Sequence, residues 1–406
     1  MARFLAIKII SLTLILQACS SETTVEKPEP FSSIPKGEEI VKANNEFAFS
    51  LFKEIADEET EANFMISPVS ASLALGMVYN GAANETQQAF ANTFNYGNAN
   101  VEETNQINKS IIDNLTYSGS GARFDVANSL WIRNKFPVKE QFIDLNKNYY
   151  YAEAQNLDFD DPNSLKTINN WVSNKTNNKI PKILNTISPD AVLYAINALY
   201  FKGDWKHRFD SSNNKELPFY PDNSSFQSVT MMHQQENFEY FSNEEFSSVV
   251  LPYKEDQFNM VLLLPNENKN TEDIVSSLNW ESWQNWQQNY SVAKIALTLP
   301  KFTFSYEKLF NEALSDLGLG IAFTDEADFS GISDIPTKIS FVLQKTFVDE
   351  RKKGTEAAAA TVVAIGVTSV PLVTEMNFNK PFLFVITEKN TGSICFIGKV
   401  GMPEYE

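Results

Sequence analysis

Cysteine and histidine are nearly missing from this chain, with two of each in 406 residues. Two cysteines build neither a disulfide framework nor a zinc cluster. Cys19 closes an N-terminal apolar segment, and Cys395 sits in SICFIGKV, where it reads as a small core residue of a buried strand. His207 in DWKHRF and His233 in MMHQQ have no partner at metal-ligand spacing, and no GxSxG elbow, phosphate loop or HExxH helix occurs. Gly318-Leu319-Gly320 lacks the third glycine of a nucleotide fingerprint and reads as a helix stop. An enzyme needs a base, a nucleophile or a ligand set. The sequence displays none, so no catalytic residue, metal or cofactor is expected. Positive charge is scarce too: 33 Lys and Arg stand against 51 Asp and Glu, a formal net charge of -18. That balance disfavours nucleic acid and anionic membrane surfaces, and no basic stripe interleaved with aromatics reverses it.

What the chain does have is core-forming material: it is 43% hydrophobic and 13% aromatic, with 31 Phe. Its length would accommodate two or three domains, but composition shifts only near the N-terminus. Residues 1–18 read as a signal peptide, with Arg3 and Lys8 ahead of an apolar run from Ile9 to Leu16. The closing Leu16-Gln17-Ala18-Cys19 resembles a bacterial lipobox, which makes Cys19 the expected lipidation site and places the protein in the bacterial envelope, at the outer membrane or cell surface. Several acyl chains, at about 0.8 kcal/mol per buried CH₂, give a stable anchor. Residues 19–37 are polar and proline-rich and read as a flexible tether. Residues 38–406 are then one domain, expected to act as a monomer.

Helical patterns come mostly early: residues 38–56, a helix after Ser67 (N-cap) and Pro68 that stops at Gly81, then 84–94, 101–115, 139–150, 164–178 and 271–286. A further helix is expected over 305–317, capped by Ser305 and stopped by Gly318. Strand-like runs dominate later: FDVANSLWI, VLYAINALYF, FNMVLLLP, KIALTLPKFTF, KISFVLQKTFV, FLFVITE and SICFIGKV. Without steady βα alternation this pattern implies an α+β fold with mixed or antiparallel sheets.

One stretch does not fit quietly. From Lys353-Gly354-Thr355-Glu356 the chain continues AAAATVVAIGVTSVPLVT, with no charge until Glu375. Small and β-branched residues make it a good strand, and exposed it would invite aggregation. It is either a buried central strand or a segment exposed now that becomes a strand later.

Several segments together resemble the serpin family: NFMISPVSASLALGMVYNGA, NSLWI, WVSNKTNNKI, INALYFKGDW, PYKEDQFNMVLLLP, LPKFTF, DFSGIS, KGTEAAAAT and FNKPFLFVI, in the family's order and at about its spacing. The resemblance implies three β-sheets, one of them a large central sheet, surrounded by eight or nine helices, and an exposed reactive-centre loop. It implies inhibition of serine proteases, and of cysteine proteases by extension. The protease cuts the loop, forms an acyl-enzyme, and is trapped in a covalent one-to-one complex when the loop inserts into the large sheet. The alternative is a non-inhibitory, serpin-like surface lipoprotein that binds or scaffolds. The hinge would be Gly354, Thr355, Glu356, Ala357, Ala358, Ala359 and Ala360, and counting from Gly354 places the reactive bond at Thr368-Ser369. Val362, Val363, Ile365 and Val367 are alternative cleavage sites, and their aliphatic character points to elastase-like or subtilisin-like targets. Insertion requires that alternate side chains tolerate a packed core; Thr355, Ala357, Ala359, Thr361, Val363, Ile365 and Val367 form one such uncharged set.

The resemblance also implies a shutter at Ser67, Ser70 and Asn197 and a breach at Trp205 and Lys301. It departs at two places. Lys352 stands where the family has a glutamate facing the position of Lys301. Gln344 stands where a histidine is expected; its amide donates and accepts hydrogen bonds but does not titrate.

Overall fold

The computed structural model of the chain describes residues 28, 31–117, 119, 122–222, 225–349 and 373–404. Among them lie nine helices: α1 Gly37–Glu58, α2 Pro68–Tyr79, α3 Asn84–Thr93, α4 Val101–Leu115, α5 Glu140–Tyr150, α6 Pro162–Lys175, α7 Thr271–Ser277, α8 Trp280–Gln288 and α9 Asn311–Leu314. The strands are β1 Asn63–Ile66, β2 Ala122–Arg133, β3 Glu153–Leu157, β4 Leu193–Gly203, β5 Lys215–Phe219, β6 Gln227–Ser242 and β7 Phe246–Pro252. They continue as β8 Phe258–Pro265, β9 Ser291–Pro300, β10 Thr303–Leu309, β11 Leu343–Asp349, β12 Thr374–Asn377, β13 Phe382–Glu388 and β14 Ile394–Val400.

Three sheets result, as an α+β serpin-like fold requires. A nine-stranded sheet runs β1-β14-β13-β8-β7-β6-β9-β12, with β5 added on β6. A three-stranded sheet runs β3-β2-β4, and β10 pairs with β11 as a separate ribbon. The large sheet holds runs such as Phe382–Ile386 and Ile394–Ile397, buried on both faces. Each such side chain contributes roughly 1.5–3 kcal/mol by leaving water.

Helix α2 lies beneath the two smaller sheets, and the sequence explains its position. Pro68 at the first turn fixes the entry, and Val69, Ala71, Leu73, Leu75 and Met77 bury it on every side. An all-round apolar helix can sit only in a core. Ser67 is at the N-cap position, but its hydroxyl makes no cap; it donates to Cys395 O at 2.7 Å. Just past the helix, Gly81 meets the DFSGIS turn: Gly331 N–H donates to Gly81 O at 3.0 Å. A Cβ on Gly81 would lie 2.1 Å from the Ile332 side chain. That close approach, rather than a left-handed stop, requires the glycine.

Three expectations need correction. The helix placed over 305–317 is a strand for its first half: Phe304 and Tyr306 are buried while Ser305, Glu307 and Leu309 are exposed or half-exposed, the period of two that pairs β10 with β11. Only Asn311–Leu314 is α-helical, and a wider turn follows to Leu319 with Gly318 at φ 103°. The helix over 271–286 is two, broken at Leu278-Asn279, where Asn279 caps α8 by accepting from Ser282 N. The tether over 19–37 ends earlier, because Phe31 is 4% exposed in the main core and packs on Gly37. Lys36 pairs with Glu103 of α4 at 2.8 Å. Cys19 lies outside the described residues.

Candidate functional site

The feature that stands out is a missing ladder. Strands β4 and β11 lie side by side over α2, yet they belong to different sheets and share no strand pairing among the described residues. Between them is a cavity of about 510 Å³. Its floor is the small and aliphatic face of α2, with Ala71, Ala74, Leu75 and Val78, and its sides come from Leu193–Asn197 of β4 and Leu343–Gln344 of β11. Since the first residues of both strands line the same cavity, β4 and β11 run in the same direction. Strands in a ladder stand about 4.8 Å apart, and both edges here present backbone donors and acceptors that a third strand would satisfy.

Hydrogen bonds from β1, α2 and the N-cap between them tie down the two sides of this seam separately. On the β11 side, Gln344 makes a two-point contact with one residue: its Oε1 accepts from Ser67 N at 2.7 Å and its Nε2 donates to Ser67 O at 2.9 Å. Two residues on, Thr346 Oγ1 donates to Met65 O at 2.9 Å. On the β4 side, Ser70 Oγ donates to Asn197 Oδ1, Asn197 Nδ2 to Asn128 Oδ1 at 2.7 Å, and Asn128 Nδ2 to Tyr150 O at 2.7 Å. Tyr150 ends α5, so Asn128 satisfies a carbonyl that the helix leaves orphaned. The structure thus brings Ser67, Ser70, Asn197 and Gln344 together, as two joints rather than one network.

The strength of the first joint is testable. Ser67 is fully buried, and among the described residues its N–H donates to Gln344 alone. Gln344→Ala is expected to lower the unfolding free energy by about 1–3 kcal/mol, the cost of a buried donor left unpaired. A urea titration checks this, and an unchanged midpoint would show that the joint carries no load.

Trp205 lies beyond the end of β4. Its ring stacks on Tyr253 at 4.5 Å and meets Phe209 edge-on at 6.5 Å. Lys301 joins β9 to β10 and its N–H donates to Thr230 O at 3.0 Å. The ribbon is tied to α1 by Tyr306, whose hydroxyl donates to Glu59, and by Lys308 at 3.4 Å from the same carboxylate. Burial works to raise the Glu59 carboxyl, but the Tyr306 hydroxyl, neighbouring backbone N–H groups and Lys308 hold it below its ordinary range.

The described chain leaves the seam at Asp349 and resumes at Val373, ahead of β12, which pairs in parallel with β9. Residues 350–372 are therefore the direct continuation of a seam strand. Lys352, the hinge residues Gly354 to Ala360, the sites Val362, Val363, Ile365 and Val367, and the bond Thr368-Ser369 lie outside the described residues.

The remaining chemical candidates do not assemble. His207 packs edge-on against Phe238 at 5.7 Å, and His233 Nδ1 meets Thr298 Oγ1 at 3.0 Å. Burial, then the charge of Lys215, pushes the His233 pKa down. Cys395 is fully buried, which pushes its thiol well above the usual range. No cluster of metal-ligating side chains occurs among the described residues.

The chain as a whole is similar to known proteins. Residues 42–403 match the family described as Serpin (serine protease inhibitor). An uncharacterized serpin-like protein of Methanosarcina mazei is 34% identical over 385 residues, covering 91% of this chain and 89% of that protein. Human Serpin B4 is 31% identical, covering 90% of this chain and 99% of its own. Among solved structures, the thermophilic serpin tengpin in its native state superposes with a TM-score of 0.80 at 33% identity, over 90% of this chain and 94% of that one. Human thyroxine-binding globulin, solved with thyroxine, gives 0.81 at 25% identity, over 91% of this chain and 100% of that one.

Proposed function

The chain belongs to the serpin family, and on that premise we propose that it is a suicide inhibitor of serine proteases, held in the bacterial envelope through lipid on Cys19. The observation that carries this reading is the seam: two parallel strands whose facing edges are unpaired among the described residues, over an apolar floor, one of which runs directly into residues 350–372. In the proposed reaction the protease serine Oγ adds to the Thr368 carbonyl. The Thr368–Ser369 bond then breaks, Ser369 leaves as the amine with the transferred proton, and Thr368 remains as the acyl ester. The new chain end is free to enter the seam between β4 and β11, carrying the ester-linked protease with it. From Thr355 to Thr368 an inserted strand spans roughly 45 Å at 3.3 Å per residue. Insertion would make both edge strands interior and exchange solvent-exposed backbone groups for two ladders.

Aliphatic residues around the bond favour elastase-like or subtilisin-like targets, since no Arg or Lys follows Lys353 within the loop. Incubation with an elastase is expected to give an SDS-resistant one-to-one adduct, and the released C-terminal peptide is expected to begin at Ser369. Complete loop cleavage with no adduct would leave the second reading, a serpin-fold lipoprotein that binds a ligand or partner without trapping. The similarity to a globulin solved with thyroxine keeps that reading in play.

A further inference from the structure

The outer face of the seam is crossed by the chain that follows α6. Residues 177–191 are held at several points: Asn177 and Asn178 turn the backbone with φ of 51° and 61°. Ile180 N–H donates to Thr176 Oγ1 at 3.1 Å. The Asn169 side chain of α6 then fixes the middle, its Oδ1 accepting from Ile183 N and Leu184 N at 2.8 and 2.9 Å while its Nδ2 donates to Leu184 O at 2.9 Å. Arg133 secures the far end through Ala191 O and Pro189 O at 2.8 and 2.7 Å. All these anchors lie on the β2–β4 side. Ile183 and Leu184 also line the seam cavity.

Besides the apolar packing of Ile183 and Leu184 near Phe341, which leads into β11, a charged side chain of this segment reaches the other half. Alternation on β11 turns Gln344 and Thr346 inward, toward Ser67 and Met65, leaving Lys345 and Phe347 on the outer face. The Lys179 ammonium lies over the Phe347 ring, 4.6 Å from its centroid, within the range where a ring's negative face attracts a cation. A base anchored to one half of the seam thus carries a charge seated on a ring of the other half.

We propose that Lys179 is a clasp across the seam, holding β11 against the β4 half until a strand enters, and that it thereby controls how readily the seam opens. Admitting one strand widens the gap by about 4.8 Å, which roughly doubles the ammonium–ring separation and breaks the contact. Lys179 is a positioning residue in this scheme; it touches neither the protease nor the cleaved bond. The inference rests on the seam being the receiving slot, but its test does not need a protease.

The experiment is amide hydrogen exchange on the intact full-length protein, read over residues 193–203 and 343–349, for wild type, Lys179→Met and Lys179→Arg. Methionine keeps the apolar stem and removes the charge, whereas arginine keeps a cation able to sit on the ring. Lys179→Met is expected to exchange about two- to five-fold faster in both strands, with Lys179→Arg close to wild type. Phe347→Leu is expected to match Lys179→Met, and the double variant to be no faster than either single one. Unchanged exchange in Lys179→Met, or equal acceleration in Lys179→Arg, overturns the clasp. A cleaved wild type that fails to gain stability would instead overturn the inhibitor reading and leave the exchange result standing.

Discussion

Heating the protein before and after a single cut in residues 350–372 is expected to give two very different transitions, with the cut form melting roughly 15–20 °C higher. The seam sets the size of this shift. An inserted strand from Thr355 to Thr368 would pair on both sides, with β4 and with β11, and cover the apolar floor formed by α2. At about 0.5 kcal/mol per net hydrogen bond, the low end of the usual range, two ladders with about 28 bonds between them give on the order of 14 kcal/mol. For a domain of this size each kcal/mol moves the midpoint by a little over one degree, about 1.3 °C. Differential scanning calorimetry of intact and elastase-cut protein measures the difference. A midpoint that does not move would mean that the loop stays outside after cleavage, in favour of the binding-lipoprotein reading.

The second large effect is expected from one charge at the hinge. Thr355→Arg is expected to reduce the fraction of protease trapped at least tenfold, turning the inhibitor into a substrate. Trapping is a race between insertion and hydrolysis of the acyl ester. In an inserted strand the alternate set beginning at Thr355 turns inward, against a floor that includes Ala71, Ala74, Leu75 and Val78. An uncompensated charge there costs several kcal/mol, and only about 1.4 kcal/mol of that in the insertion barrier slows the step tenfold. Thr355→Val, which keeps the shape without the hydroxyl, serves as the control and is expected to trap as wild type does. Densitometry of adduct against cut protein after reaction with elastase gives the ratio. Normal trapping by Thr355→Arg would refute the inward-facing register.

Those two experiments concern residues the sequence pointed to, and the structure shows why such reading worked in some places and not in others. FNMVLLLP and FLFVITE are the full extents of β8 and β13. Both are central and buried on both faces, so an unbroken apolar run is their signature. By contrast β6, at Gln227–Ser242, is not legible in the sequence. It passes from one partner, β5, to another, β9, and its exposure changes along its length, so polar residues such as His233, Gln234 and Gln235 hide any alternation. The β10 segment is ambiguous in sequence because Phe304, Leu309 and Ala313 also suit a helix. Pairing with β11 decided the matter, and pairing is a tertiary fact.

The shutter residues were named because motifs marked them, yet their division into two joints was not legible. Asn128 carried no signal of its own, being one polar residue in a strand, although it connects Asn197 to the end of α5. The seam itself is an absence of pairing between β4 and β11. A sequence pattern marks strands but does not tell which neighbours fail to pair. Lys179 and Phe347 are equally silent: each looks like an ordinary surface-strand or loop residue until the fold sets one over the other.

The Gln344–Ser67 contact has a consequence for proton linkage. Stability changes with pH only where folded and unfolded states bind different numbers of protons, and neither an amide nor a backbone peptide group titrates between pH 5 and 8. The free energy that fastens β11 to α2 therefore has zero slope across that interval. Acidifying the surroundings from neutral to pH 5.5 leaves this one fastening as strong as before.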